Sequence, residues 1–207
     1  MGRWNQEIYY YDTNMDIEAG RLAERLGTMV AEEKKRKGKR GLVLLCIGTD
    51  RSTGDSLGPL IGYKLKEMET ADFTVLGTLD RPVHAMNLRE YMGILERFYR
   101  DDLVVAVDAS VGSREHVGYV TLGKGALKPG LGVSKELQAV GDIFITGIVG
   151  SCKNSDPLML QSIRLSVVMN LADYISRSIC LAGALRPAGN PEGAGRVENF
   201  WGAAPLI

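Results

Sequence analysis

Leu42 to Ile47 is an unbroken apolar run closed at both ends by glycine, Gly41 and Gly48. Six residues are too few for a stable helix and show no polar alternation, so the run reads as a strand buried on both faces. Leu103 to Val107 and Ile143 to Val149 repeat the pattern, and Phe73 to Leu79 is a further strand candidate. Helical spacing lies between them: Pro59 to Met68, whose Leu60, Ile61 and Leu65 would face the sheet, and Asn87 to Tyr99. Doubly covered strands alternating with helices predict a three-layer α/β/α sandwich with a mostly parallel central sheet.

In such sheets ligands bind beyond the carboxyl ends of the strands. The loop after the first apolar run, Thr49 to Gly54, together with Asp55, is therefore the first place to look for chemistry. It is not a phosphate loop: Gly54 is followed by Asp55 and Ser56 rather than Lys and Ser/Thr, and an aspartate beside bare amides repels phosphate. Nor does G-x-G-x-x-G follow the strand. Asp55 could cap the next helix, but Pro59 would then remove the first intrahelical hydrogen bond. Ser56 or Gly58 fits better as the cap, because either keeps Pro59 in the first turn. Asp55 is then a loop carboxylate with no capping duty. The run Leu103 to Val107 leads directly into Asp108, and the 53 residues from Asp55 to Asp108 hold a helix, a strand and a second helix. The two strands can be neighbours and their aspartates can meet.

A chain of 207 residues with 45% hydrophobic content, 24% charged residues and zero formal net charge has the profile of an ordinary globular protein. Nothing in it points to nucleic acid. The opening MGRWNQEIYYYDTN lacks the apolar core of a signal peptide, and no apolar stretch is read as long enough for a membrane span. A cytoplasmic location is expected. Cys46, Cys152 and Cys180 are odd in number and far apart, which suits reduced thiols, with Cys46 a small buried hydrophobe. Asp16 to Lys35 has helical spacing, and its tail runs into KKRKGKR. That run suits a solvated helix C-terminus, where cations complement the helix dipole, better than an acidic-partner patch.

Beyond Asp108 the chain is glycine-rich, with an antiparallel edge strand expected at Val117 to Leu122 beside a cleft-bordering loop. Asp156-Pro157 marks a helix start, and apolar periodicity carries that helix from Leu158 to Ile179. The organisation expected is a helical segment and basic linker over 1–40, an α/β domain over 41–181 and a Gly/Ala/Pro-rich arm over 182–207.

Four segments, CIGTDRSTGDSLGPL, VVAVDASVG, KPGLGVSKEL and GIVGSCKNSDP, resemble the YyaC-type sporulation proteins of spore-forming bacteria across about Gly41 to Ile179. More distantly the chain is similar to the germination protease that degrades small acid-soluble spore proteins, and to the hydrogenase-maturation endopeptidases. The resemblance implies a phosphorylase/hydrolase-like α/β/α fold and a peptidase-like site. The protease's two catalytic aspartates, in D-x-L-G-P and I-D-A motifs, fall by motif on Asp55 (DSLGP) and Asp108 (VDA). Where the protease has His-Pro-Gly this chain has Lys128-Pro129-Gly130. The maturation enzymes hold a metal through two carboxylates and a later histidine that is not evident here; His84 and His116 are the only substitutes.

The expectation is an aspartate-dependent peptidase-like protein with Asp55 and Asp108 catalytic. Thr49, Asp50, Lys128 and Lys135 are expected on the substrate side, with no metal and no cofactor. The implied partner is a protein or peptide, a spore protein among the candidates, in the cytoplasm of a sporulating cell or spore; homo-oligomerisation stays open. The alternatives are a non-catalytic peptide- or partner-binding protein on the same fold and a metal-assisted maturation endopeptidase.

Overall fold

The computed structural model describes residues 7–68, 73–129, 137–151 and 157–184. A six-stranded sheet is ordered β1-β5-β6-β4-β2-β3. Its members are β1 (Ile8–Asp12), β2 (Gly41–Cys46), β3 (Thr74–Leu76), β4 (Asp102–Gly112), β5 (Tyr119–Lys124) and β6 (Ile143–Ser151). From β6 through β4 and β2 to β3 every pairing is parallel, whereas β5 and β1 are added antiparallel. Four helices flank the sheet: α1 (Asp16–Lys37), α2 (Leu57–Glu67), α3 (Leu88–Phe98) and α4 (Leu165–Ala184).

Strand alternation assigns the two faces. Leu42, Leu44 and Cys46 of β2 and Val105 and Val107 of β4 share a core with Leu22 and Leu26 of α1, Ile61 of α2 and Leu171 and Ile175 of α4. Val43, Leu45 and Ala106 point the other way, toward Leu88 and Leu95 of α3 and toward Val140. The expected three-layer α/β arrangement is what the chain adopts. Cys46 lies fully inside, and burial pushes its thiol up to about 12, so it packs as a hydrophobe with no reactive thiolate.

Several boundaries differ from the sequence reading. The strand expected at Val117 to Leu122 is antiparallel, but it runs Tyr119–Lys124 and is not the edge: the Tyr-rich opening supplies β1 outside it, with Tyr11 in the core and Tyr10 exposed. β3 stops at Leu76 instead of Leu79. β4 continues five residues past Val107, held by β6 alone, so Asp108 lies within a strand rather than after one. The single helix expected from Leu158 is two elements, a 3-10 turn Pro157–Ser162 and then α4; Asp156 and Cys152 lie outside the described residues. Leu165–Gly183 is long and apolar enough to cross a membrane, contrary to the reading that no stretch reaches that length. Half of it is buried against α1, α2 and the sheet, as befits a core helix that must be apolar on several sides.

The basic run is absorbed locally. Lys34 Nζ donates to the Arg40 carbonyl at 2.7 Å and Arg36 pairs with Glu33 at 2.6 Å. Lys37 reaches Asp142, and Lys39 reaches the Arg100 carbonyl. These contacts fasten the end of α1 to the amino edge of the sheet, opposite the carboxyl ends.

α2 sits unusually close to the strand it follows. A Cβ on Gly58 would lie 2.0 Å from the Ile47 carbonyl oxygen, a backbone contact that no side-chain rotation relieves. Gly58→Ala is therefore expected to destabilise by roughly 3 kcal/mol in urea unfolding. Gly20→Ala, on the open face of α1 with nothing within 4 Å, should instead gain up to about 1 kcal/mol from helix propensity.

Candidate active site

The chain leaves β2 toward β3 and leaves β4 in the opposite direction, toward β6 and β5. Such a reversal opens a crevice between neighbouring strands at their carboxyl ends. Asp55 follows β2 and Asp108 belongs to β4, so both expected catalytic residues fall at this one switch point.

Asp55 lies in a 3-10 turn, Gly54–Ser56, that leads into α2 and rests against β4 and against the turn at 157–162. Ser56 is the N-cap of α2, and its Oγ donates to the Thr53 carbonyl at 2.7 Å. Pro59 is thus the third helical residue and asks for no partner, which frees the Asp55 carboxyl from capping as the sequence implied. The loop closes on itself: Thr49 N–H donates to the Asp55 main-chain carbonyl at 3.0 Å. Asp55 is half-buried, and burial raises its carboxyl above the ordinary 3.8. The Thr49 amide and the positive charge of His84 pull the other way.

Asp108 is 5% exposed, on the α3 face of the sheet. The β2–β4 ladder ends at Cys46↔Val107, with one last bond from Ile47 N–H to the Val107 carbonyl at 2.7 Å. Alternation turns the Ala109 N–H to the side that β2 has just left. The Asp108 Oδ1 accepts that N–H at 2.8 Å. A buried amide without a partner costs about 1–3 kcal/mol, so the Asp108 side chain repairs a gap created by the early end of β2.

Around Asp108 the same face carries hydroxyls. Thr146 is its register partner on β6, and Thr146 Oγ1 stands 3.0 Å from Ser110 Oγ and 2.7 Å from Thr121 Oγ1. Ser110 Oγ also donates to the Gly147 carbonyl at 3.3 Å. Sequence reasoning missed this row. Ser110 was visible two residues beyond Asp108 and hence on its face, but Thr121 and Thr146 join only through strand pairing.

The remaining expected residues are less concentrated. Thr49 shapes the loop, its Oγ1 accepting the Arg51 N–H at 3.3 Å, and Asp50 is exposed beside it. Lys128 is exposed and follows Leu127, which pairs with Val140 on the α3 side. Lys135 lies outside the described residues. His84 is half-buried on the loop that follows β3, stitched to the end of β2 by the Ile47↔Val83 bridge. His116 is distant from these: its Nδ1 lies 2.8 Å from Ser113 Oγ, and its ring stands between Tyr10 and Tyr119.

Among the described residues no three His, Cys, Asp or Glu side chains gather closely enough to hold a metal ion. Two carboxylates alone suit neither zinc nor nickel, which favour nitrogen and sulfur donors. The residues present do not fit the metal of the maturation enzymes. Purified protein is expected to retain far less than one equivalent of zinc or nickel after dialysis, as read by elemental analysis; a stoichiometric ion would overturn this.

Three likenesses to known proteins accompany this geometry. A solved structure of the NiFe hydrogenase maturation protease HycI from Thermococcus kodakarensis KOD1 overlays with a TM-score of 0.43 at 21% identity, over 72% of this chain and 99% of that one. The uncharacterized protein YyaC of Bacillus subtilis (strain 168) is 40% identical over 176 residues, 85% of this chain and 84% of that protein. The family profile described as "Protein of unknown function (DUF1256)" matches residues 8–178. Matched over most of its length by that profile and by YyaC, the chain belongs to the DUF1256 family.

Proposed function

We propose that the protein is a peptidase-like hydrolase whose chemistry is carried by Asp55 and Asp108. The observation that carries this reading is their common placement at the topological switch point, on a turn and a strand that touch, with burial favouring the protonated form of Asp55. The D-x-L-G-P and V-D-A motifs supply independent support.

Asp108, already an acceptor toward Ala109, takes the part of the base that holds the attacking water. As the water oxygen bonds to the scissile carbonyl carbon, its proton passes to Asp108 and Asp55 gives its proton to the carbonyl oxygen. Collapse of the resulting diol breaks the C–N bond: the leaving amine takes the proton from Asp108 while a diol hydroxyl gives one back to Asp55, which restores both groups. Two carboxyl groups held in unlike environments are suited to such divided duty. Thr49, Asp50, Lys128 and Lys135 are proposed to contact the substrate, a protein or peptide of the sporulating cell.

The alternative is a binding protein without catalysis. It is favoured by the Asp108–Ala109 bond, which gives Asp108 a purely architectural use. Full-length protein incubated with a peptide library and with small acid-soluble spore proteins, followed by mass spectrometry of the products, separates the two. Cleavage that depends on both aspartates supports the hydrolase. Retention of peptides without cleavage supports the binding protein.

A further inference from the structure

His84 is absent from the two-aspartate scheme, yet the fold brings it to the same place. Gly48 N–H donates to the Val83 carbonyl at 2.7 Å, so the residue after Val83 stands beside the first residue of the Asp55 loop. Gly48 in turn touches that loop's far end: a Cβ there would lie 2.0 Å from the Asp55 carbonyl oxygen, and its φ of +143° already favours glycine. His84 and Asp55 therefore flank Gly48.

The histidine is also held. Its N–H donates to Asn87 Oδ1 at 2.7 Å, while Asn87 Nδ2 donates to the Pro82 carbonyl at 3.0 Å. The His84 carbonyl accepts from the N–H groups of Asn87 and Leu88 at 3.0 and 2.9 Å. In the neutral ring its Nδ1 accepts the Met86 N–H at 3.3 Å; Met86 is exposed, so water takes over that amide when the ring gains its second proton, and Nε2 is available to other groups throughout. An Asn-clasped loop of this kind fixes where the ring stands before any ligand arrives.

We propose that His84 is a positioning residue for Asp55: its imidazolium is the positive charge that receives the Asp55 carboxylate once Asp55 has given up its proton. The idea rests on the two-aspartate reading for its meaning in catalysis, but the pairing itself does not. The charge of His84 also opposes the effect of burial at Asp55, less strongly than the Thr49 amide does.

The test is a carboxyl carbon-13 NMR titration of the full-length, untagged protein, with Asp55→Asn to assign the Asp55 signal. Other charged groups on the elements around this turn are Asp50 and Arg51 on its own loop, Asp80 and Arg81 on the His84 loop, Asp108 on β4 and Arg164 before α4. His84→Gln leaves all six in place. The Asp55 midpoint should move to higher pH in His84→Gln and, by a smaller amount, in Asn87→Ala, which frees the clasp without removing the ring. A midpoint unchanged in both variants, with each still folded by circular dichroism, overturns the pairing. In a hydrolysis assay the alkaline limb, where Asp55 loses its proton, should shift upward in His84→Gln by the same amount. Should the midpoint move while the protein cleaves nothing, the pairing stands and the peptidase reading falls.

Discussion

Asp55→Asn is expected to lower the proposed peptide hydrolysis about a hundredfold or more and to leave the protein at pH 7 at least as stable as the parent. The two halves of this result have one cause. Burial raises the folded carboxyl above 3.8, so ionising it at neutral pH works against the folded state. Stability associated with such a group is fully present below the unfolded value and is lost as pH rises through the folded one. Asparagine has the same shape and cannot ionise, so the variant's advantage is full at neutral pH and fades as pH falls toward about 3. Thermal melts across that range read the sign directly; an advantage that grew on acidification would exclude the burial argument.

Asp108→Asn should match the loss of rate for a different structural reason. Its carbonyl oxygen still accepts the Ala109 N–H, so folding persists while the base is gone. Asp108→Ala removes that acceptor and should lose a further 1–3 kcal/mol, approximately the value of a stranded buried amide. If both Asn variants kept the parental rate, the aspartates would be architectural and the hydrolase reading would fail.

Removal of residues 1–39 is expected to abolish folding altogether. The segment invites comparison with a cover over the cleft, since it precedes the first core strand. In the fold, β1 closes one side of the sheet and α1 packs against α4 and the sheet as part of the core. Leu22, Leu26, Met29 and Val30 are each at most 3% exposed. At about 2 kcal/mol apiece their burial contributes roughly 8 kcal/mol, comparable to the whole 5–15 kcal/mol that separates typical folded from unfolded states, approximately. The truncated chain should show no cooperative urea transition. A folded product with a sharp transition would instead mark the segment as detachable.

What could be read from the residues was set by how local the cause is. Apolar runs identify β2, β4 and β6 because doubly covered strands leave little room for polar alternation. Pro59 limits the cap of α2 to Ser56 or Gly58, and the fold takes Ser56. The full length of β4 does not, because Asp108 to Gly112 is too polar to advertise a strand and is held there by β6. β1 carries the aromatic content of a strand in Tyr9, Tyr10 and Tyr11, but its partner lies more than a hundred residues away. In the candidate site, the contact between the turn after β2 and strand β4 follows from the alternation of elements. That His84, after the Phe73 to Leu79 strand candidate, shares the rim of Asp55 follows from the same alternation once the strands are parallel, whereas how near it comes depends on the Ile47↔Val83 bridge.

The pairing of β1 with β5 also orders events in time. β1 leaves the ribosome first, yet Asp12 must wait for Tyr119 and Ile8 for Gly123. At about 10 residues per second the wait is on the order of ten seconds. For that interval the apolar stripe of α1 has no α4 to meet, and three tyrosines stand in an unpaired strand. A newly made chain is therefore exposed to wrong association at β1 until β5 has been made.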